Sequence, residues 1–315
     1  MIQHEPISVR LRDVEPLAPT LRRFVLEAAD GGLLPTASAG AHVQLTLRGP
    51  NRTWKNAYSL VSPPEQRSHY EIIVRRAAHS RGGSAFLHAQ VAGHVLDMAP
   101  PANLFPYSRI APRHLLLSAG IGLTPFLSYL AALRAEGGRC ALHHVCKADE
   151  AAVFARVLAP FGDTNVTIHS GRAALDLPGL LGRQGLDTHL YICGPDAFMQ
   201  EAADAARTLG WPEAKLHLES FGGDTGGAPF TAVLARSGLR VAVAEDQSLL
   251  EALEAAGVEA PCLCRGGACG ACEVPVLDGE PEHRDHVLTG AQRASRDRIL
   301  TCVSRARTPE LVIDL

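Results

Sequence analysis

At roughly 100 to 200 residues per domain, 315 residues exceed what one compact core normally holds, so two or three domains are expected. With 46% hydrophobic and 20% charged residues the composition is that of a folding globular chain, which excludes wholesale disorder, and a net charge of -3 gives no global attraction for nucleic acid or an anionic membrane. The N-terminus, Met1-Ile-Gln-His-Glu-Pro-Ile7, lacks the basic stretch and apolar core of a signal peptide, and no segment holds 18 or more uninterrupted apolar residues, so a soluble cytoplasmic protein is expected.

The first hundred residues alternate apolar and polar positions in short runs: Ile7-Ser-Val-Arg-Leu11, His42-Val-Gln-Leu-Thr-Leu47, Tyr58-Ser-Leu-Val61 and Tyr70-Glu-Ile-Ile-Val74. Turn residues punctuate them at Gly31-Gly32, Gly49-Pro50, Pro63-Pro64 and Gly82-Gly83. Short strands with frequent turns over residues 1–108 predict an antiparallel β-barrel or sandwich. The pattern changes near Pro112. His114-Leu-Leu-Leu-Ser-Ala119 is continuously apolar and is followed by a glycine turn and a helical pattern from Phe126 to Arg134. Further apolar runs at 140–145, 166–169 and 189–193 alternate with helical stretches over 151–158 and 197–208, which predicts an α/β domain with a parallel sheet over 109–221.

Gly222-Gly-Asp-Thr-Gly-Gly-Ala-Pro229 has no apolar periodicity and reads as a flexible linker. A third domain, 230–315, opens with a hairpin around Ser237-Gly238 and a helix from Ser248 ended by Gly257.

Five of the eight cysteines, Cys262, Cys264, Cys269, Cys272 and Cys302, fall in this last quarter. Without an export signal such a cluster points to metal rather than disulfides. Cys264-x4-Cys269-x2-Cys272 with a distant Cys302 has the spacing of plant-type [2Fe–2S] ligation. Three thiolates must wrap one face of a small anionic cluster, and Gly266, Gly267 and Gly270 allow positive φ angles that turn backbone N–H groups toward the sulfurs. Zinc is the competing reading, although zinc sites usually pair two short C-x2-4-C knuckles. Cys262 reads as a spare thiol, and Cys140 and Cys146 as packing residues.

After the apolar run at 114–119, Gly120-Ile-Gly122-Leu-Thr124-Pro125 leads into a helix, where a pyrophosphate can approach unpaired N–H groups. By itself this turn is as compatible with a plain strand-to-helix connection. A second strand ends at Cys193-Gly194-Pro195, where open α/β sheets place ligands.

Together with Ala57-Tyr58-Ser59-Leu60 and Arg81-Gly82-Gly83-Ser84, these motifs make the chain resemble, over essentially its whole length, the phthalate dioxygenase reductase type of the ferredoxin–NADP reductase superfamily. That resemblance implies a flavin barrel, a nicotinamide domain and a C-terminal plant-type ferredoxin of β-grasp (α+β) form. It implies that Asn56, Ala57, Tyr58, Ser59, Ile73 and Val74 line the FMN, with Arg75, Arg81, Gly82, Gly83 and Ser84 around its phosphate. Gly120, Gly122, Cys193, Gly194 and Pro195 would bind NADH, with Thr124 and Phe221 near the flavin ring. Asn56 stands where the family usually has arginine, so the phosphate is expected to lean on Arg75 and Arg81. The Asn-Ala-Tyr-Ser-Leu string, Cys262-Leu-Cys264 and Glu282-His-Arg-Asp285 are most similar to reductase components of carnitine monooxygenase and related quaternary-amine systems.

The parts form a sequence of events. A nicotinamide gives up two electrons as a hydride, a [2Fe–2S] cluster accepts one, and a flavin between them can split the pair. An NADH-dependent reductase serving a Rieske-type oxygenase is expected, or alternatively one serving a haem monooxygenase or a redox or zinc interaction module. No triad or paired-carboxylate signature is present, so no catalytic acid–base residue is expected. His42, His143, His144 and His217 read as structural or surface-exposed. Glu273, Asp278, Glu280 and Glu282 read either as a solvated face or as a surface steering a basic partner. Lys147 is a candidate partner for a 2′-phosphate.

Overall fold

The computed structural model describes residues 5–50, 52–78, 82–162, 164–222 and 226–315. Arg81, one of the expected phosphate contacts, and linker residues 223–225 lie outside the described residues. By internal contacts the chain divides into two compact units, one ending at Glu219 and one running from Ser220 to Leu315.

The first unit begins with β1 (Ile7–Ala18), β2 (Leu21–Ala28), β3 (His42–Arg48), β4 (Thr53–Ser59), β5 (Tyr70–Arg75) and β6 (Val95–Met98), antiparallel in the order β4-β3-β6-β1-β2-β5. A bridge between Leu60 and Ile72 joins the two edges and closes the barrel. Alternation fills its interior: Val9 and Leu11 from β1 and Val43, Leu45 and Leu47 from β3 are fully buried. The strand expected from Tyr58 to Val61 instead starts at Thr53. Thr-Trp-Lys-Asn lacks apolar alternation because this strand is exposed on one face and half-buried on the other, so the signal for it is weak. Helix α1 (Gly83–His88) follows the expected phosphate turn.

The same unit continues with β7 (Arg113–Ala119), α2 (Thr124–Glu136), β8 (Arg139–Cys146), α3 (Ala151–Leu158), β9 (Asn165–Ser170), α4 (Leu177–Gly182), β10 (Thr188–Cys193), α5 (Asp196–Thr208) and β11 (Leu216–Glu219). All five strands are parallel in the order β11-β10-β7-β8-β9. Both faces are covered, which is why these strands read as continuous apolar runs. Leu115, Leu117, Leu190 and Ile192 pack with Phe198, Met199 and Leu180. On the other face Leu116, Leu142 and Tyr191 pack with Phe126 and Phe154, and Leu21, Val61 and Ile73 of the barrel join the same cluster. The expected boundary at 108/109 therefore falls inside a shared core, which local composition could not reveal.

The second unit contains β12 (Phe230–Leu234), β13 (Arg240–Val243), α6 (Leu249–Ala255), β14 (Glu273–Asp278), β15 (Pro281–Glu282), α7 (Gly290–Ser295), β16 (Arg298–Leu300), β17 (Arg305–Ala306) and β18 (Glu310–Ile313). Its mixed sheet runs β13-β12-β18-β14-β16, with β12 and β18 parallel and a separate β15-β17 pair. Helix α6 starts at a capping box, Ser248 Oγ accepting from Glu251 N while the Glu251 carboxylate accepts from Ser248 N. The described end of the expected linker is not a free tether. Gly226 O accepts from Arg284, Gly227 N donates to Glu245 O, and Ala228 O accepts from Arg305. Among the described residues no helix is long and apolar enough to cross a membrane.

Candidate redox sites

The cysteine loop lies between α6 and β14. Cys272 and Cys302 are buried, and their sulfurs are 3.2 Å apart. Cys264 Sγ accepts from the backbone N–H groups of Gly266 and Ala268, both at 3.4 Å, and also contacts the sulfurs of Cys269 and Cys302. Four sulfurs, three from the loop between α6 and β14 and one from the β16–β17 connection, thus converge at one place. Those sulfur contacts, then the two N–H groups, push Cys264 strongly toward thiolate, while Cys269 and Cys302 are pushed the opposite way. Among the described residues no three histidine, cysteine or acidic side chains are spaced to hold a single metal ion. An all-sulfur donor set with N–H groups already turned onto a sulfur fits an anionic iron–sulfur cluster.

The glycines act differently from one another. Gly267 and Gly270 adopt positive φ of 71° and 74°. Gly266 does not; Arg265 takes the third left-handed position, φ 55°, and a side chain at Gly266 would instead strike Ser220 O at 2.7 Å. The Arg265 side chain is largely buried, pairs with Glu254, and lies 3.7 Å from Cys262 Sγ. Cys146 is buried and Cys140 half-buried, both within the packed face of the parallel sheet. The acidic residues near the cluster loop are locally compensated: Glu273 pairs with Arg298, Glu280 with Arg296 and Arg307, and Glu282 with Arg284. Asp278 accepts from Gly279 N. A uniformly acidic docking face is therefore not what this surface presents.

In the parallel sheet, Ser118 of β7 and Cys193 of β10 are neighbours in register, which brings together the two motifs expected to bind nicotinamide. Gly120-Ile-Gly122-Leu123 forms a 3-10 turn before α2, and a Cβ on Gly122 would overlap Cys193 O and lie 2.7 Å from Gly194 N. Thr124 Oγ1 donates to Ile121 O and so closes the turn on itself. The Cys193 thiol is fully buried, in register with Glu219, and burial followed by that carboxylate holds it well above the usual thiol range. Phe221, in the second unit, is 46% exposed.

On the barrel, Asn56 Nδ2 donates to Tyr58 Oη at 3.0 Å, and burial pushes the Tyr58 hydroxyl up to about 12. Ser59 Oγ is buried and has no hydrogen-bond partner among the described residues, an orphan that suits a bound polar molecule. A Cβ on Gly82, φ 112°, would overlap the Trp54 ring, and one on Gly83 would lie 2.5 Å from Asn56 Nδ2. Gly83→Ala is therefore expected to push Asn56 off Tyr58 and lower flavin content. Flavin fluorescence released on denaturation measures this, with cluster absorbance as the unaffected control. Ile73 and Val74 are buried in β5, whereas Ala57 is exposed on β4. Ser84 Oγ accepts from Ala77 N at 3.2 Å. Arg75, expected at the phosphate, makes a bidentate ion pair with Glu150, its Nη2 3.1 Å from Oε2. Nothing in the sequence marked Glu150, because the pair spans 75 residues of chain.

The histidines form partnerships within the parallel sheet. His143 meets His169 and His189 meets His217, each pair at 3.0 Å between ring nitrogens. His144, fully buried, shares a hydrogen bond with Ser118 Oγ at 2.8 Å. Burial, then the Arg75 guanidinium and His169, lowers its pKa to about 3. The unfolded chain consequently binds a proton near pH 6.5 that the folded state refuses. This contribution to stability is complete above pH 6.5 and is lost as pH falls toward 3, by up to about 1.4 kcal/mol per pH unit. Thermal unfolding from pH 7 to 4.5 should show a shallower decline for His144→Gln than for the natural chain.

Comparison with known proteins places the chain in a family. The family model for the 2Fe-2S iron-sulfur cluster binding domain matches residues 233–307. The heme-dependent oxidative N-demethylase beta subunit of Ectopseudomonas mendocina is 43% identical, with 98% of this chain and 99% of that protein aligned. The carnitine monooxygenase reductase subunit of Escherichia coli is 40% identical over the full length of both. Among solved structures, phthalate dioxygenase reductase, described as modular for electron transfer from pyridine nucleotides to [2Fe-2S], superposes with a TM-score of 0.85 at 33% identity, covering 99% of this chain and 98% of its own. The fold and sites define a flavin- and iron–sulfur-dependent oxidoreductase. More narrowly, the chain belongs to the phthalate dioxygenase reductase family, the reductase components of oxygenase systems.

Proposed function

We propose that this chain takes electrons from NADH and delivers them singly to a Rieske-type oxygenase. FMN and a [2Fe–2S] cluster, when bound, supply the conversion from two-electron to one-electron chemistry. The observation that carries the reading is the convergence of Cys264, Cys269, Cys272 and Cys302 in a chain whose full length aligns with oxygenase reductases. In this reading the barrel is 1–108, the nicotinamide domain 109–221 and the ferredoxin domain 230–315, with 222–229 between them.

The four cysteines are the cluster ligands. Tyr58, kept neutral by its burial, and the orphaned Ser59 hydroxyl face the flavin, with Asn56, Ala57, Ile73 and Val74 around it. Gly82, Gly83 and Ser84, with Arg75 and Arg81, form its phosphate side. Gly120, Gly122, Thr124, Cys193, Gly194 and Pro195 hold the nicotinamide end of NADH, and Phe221 is the aromatic side chain assigned to the flavin ring. The protein's work is to bind and orient; the buried Cys193 thiol, held above the usual thiol range by its burial, fills the strand end.

A second partner is favoured by one observation: the 43% identical relative is the beta subunit of a heme-dependent N-demethylase. NADH consumption coupled to substrate turnover, measured with a purified Rieske oxygenase and in parallel with a haem-containing oxygenase subunit, separates the two. Coupling only to the haem protein overturns the Rieske assignment. Absence of flavin and iron–sulfur absorbance in the purified protein overturns both. Lys147 follows β8, exposed and close in sequence to Asp149 and Glu150, and the ratio of kcat/KM for NADH and NADPH tests whether it admits a 2′-phosphate.

A further inference from the structure

The glycine-rich stretch after Glu219 is composed like a tether, yet both of its described ends are fastened to the ferredoxin unit. At the far end two guanidinium groups meet. Arg305 is 1% exposed, and it donates to Gly227 O at 3.3 Å, Ala228 O at 2.9 Å, Ala244 O at 3.1 Å and Gln247 O at 2.5 Å. Its guanidinium also lies over the Phe230 ring, 5.4 Å from the centroid. Arg284 donates to Gly226 O at 2.7 Å while its other nitrogens hold Glu282. A side chain on Gly227 would come within 3.0 Å of Arg305 Nε and 3.1 Å of Arg284 Nη2. At the near end, the backbone of Ser220–Gly222 packs on Gly266, two residues after the first cluster cysteine.

A short peptide connects this clamp to the cysteine loop. Directly after Arg284, Asp285 has a fully buried side chain, and its carboxylate accepts from Val287 N at 3.0 Å and Leu288 N at 2.7 Å. The next residue, His286, donates its N–H to Gly267 O at 3.0 Å. Arg284 therefore grips the connecting segment while its immediate neighbours hold the loop that carries Cys264 and Cys269. A shift at one end must be felt at the other, because the intervening carboxylate is buried and bonded.

We propose that Arg284 and Arg305 are positioning residues for electron delivery to the cluster: they clamp the connecting segment onto the ferredoxin unit and hold the cysteine loop in register with it. The cysteine loop carries the expected cluster ligands, so loosening the clamp that holds it affects the step into the cluster and leaves the reduction of flavin by NADH alone. This inference rests on the four cysteines being the cluster ligands.

The test uses the holoenzyme and the variants Arg284→Ala, Arg284→Lys and Arg305→Lys. Limited digestion with a protease of broad specificity reads how often residues 226–229 come free. Removing a charge-assisted hydrogen bond should raise that cleavage rate about tenfold or more in Arg284→Ala. Cytochrome c reduction, which draws on the cluster, should fall in parallel, ferricyanide reduction by the flavin should not change, and Arg284→Lys should recover most of both. Visible circular dichroism of the cluster should report full content in Arg284→Ala. Arg305→Lys, which keeps the charge but loses the fork, should show the same pattern more strongly. Unchanged cleavage and unchanged cytochrome c reduction in a cluster-replete Arg284→Ala overturn the proposal. A natural enzyme lacking the cluster signal overturns the ligand assignment instead.

Discussion

Cys269→Ser should abolish the iron–sulfur spectrum and cut NADH-driven cytochrome c reduction to background, while NADH-driven ferricyanide reduction at the flavin persists. In the proposed site the Cys269 thiolate is a ligand, and a serine hydroxyl does not ionise at neutral pH to replace it. The loss should exceed the roughly 10–100-fold that removal of a merely supporting contact around a metal costs. Cys269 contacts the Cys264 sulfur and lies between Gly267 and Gly270, both in left-handed conformations that shape the loop. Cys262 is the nearest spare thiol in sequence, but it lies against the buried Arg265–Glu254 pair. Iron and zinc analysis of the natural protein and the variant completes the test. Iron lost together with the spectrum is the expected result, and zinc in the natural protein would sink the cluster assignment. Because metal binding couples to folding, the ferredoxin unit should also melt earlier than in the natural enzyme, while the first unit is unaffected.

Gly122→Ala should raise the KM for NADH steeply and lower the melting temperature of the first unit. A Cβ there would overlap Cys193 O and would lie 2.5 Å from Cys193 C and 2.7 Å from Gly194 N. These are backbone atoms at the end of β10, with no flexible side chain to yield, so either the glycine turn or the Cys193–Gly194 peptide must move. Overpacking of this kind costs about 1–3 kcal/mol, and a unit of this size loses roughly 2–4 °C per kcal/mol. The binding effect should outlast the stability effect, since it persists at temperatures where the variant is fully folded. Gly182→Ala is the control. It sits at the end of α4 with nothing within 4 Å of an added methyl group, and the same substitution there should be neutral or slightly stabilising. Equal losses in both variants would mean that the close approach of the two nicotinamide motifs has no bearing on coenzyme binding.

The fold class, and the cysteine spacing from which the sulfur donors are proposed, were legible before any fold was known. Both are written in local chemistry: period-two alternation for β3, continuous apolar runs for β7 and β10, a helical run from Ser248 closed by Gly257 for α6, and a fixed spacing of three cysteines. Such signals survive without long-range context because each depends on neighbours within a few residues. Pairs far apart in the chain were settled by folding alone. Arg75 pairs with Glu150, the acidic residues around the ferredoxin loop with arginines, and Gly226 and Ala228 with Arg284 and Arg305. Gly266 was expected to serve its own φ angle and instead makes room for the Ser220 carbonyl. A guanidinium or a missing Cβ carries no local preference for its eventual partner. Packing brings that partner within reach, and packing is a property of the whole folded unit.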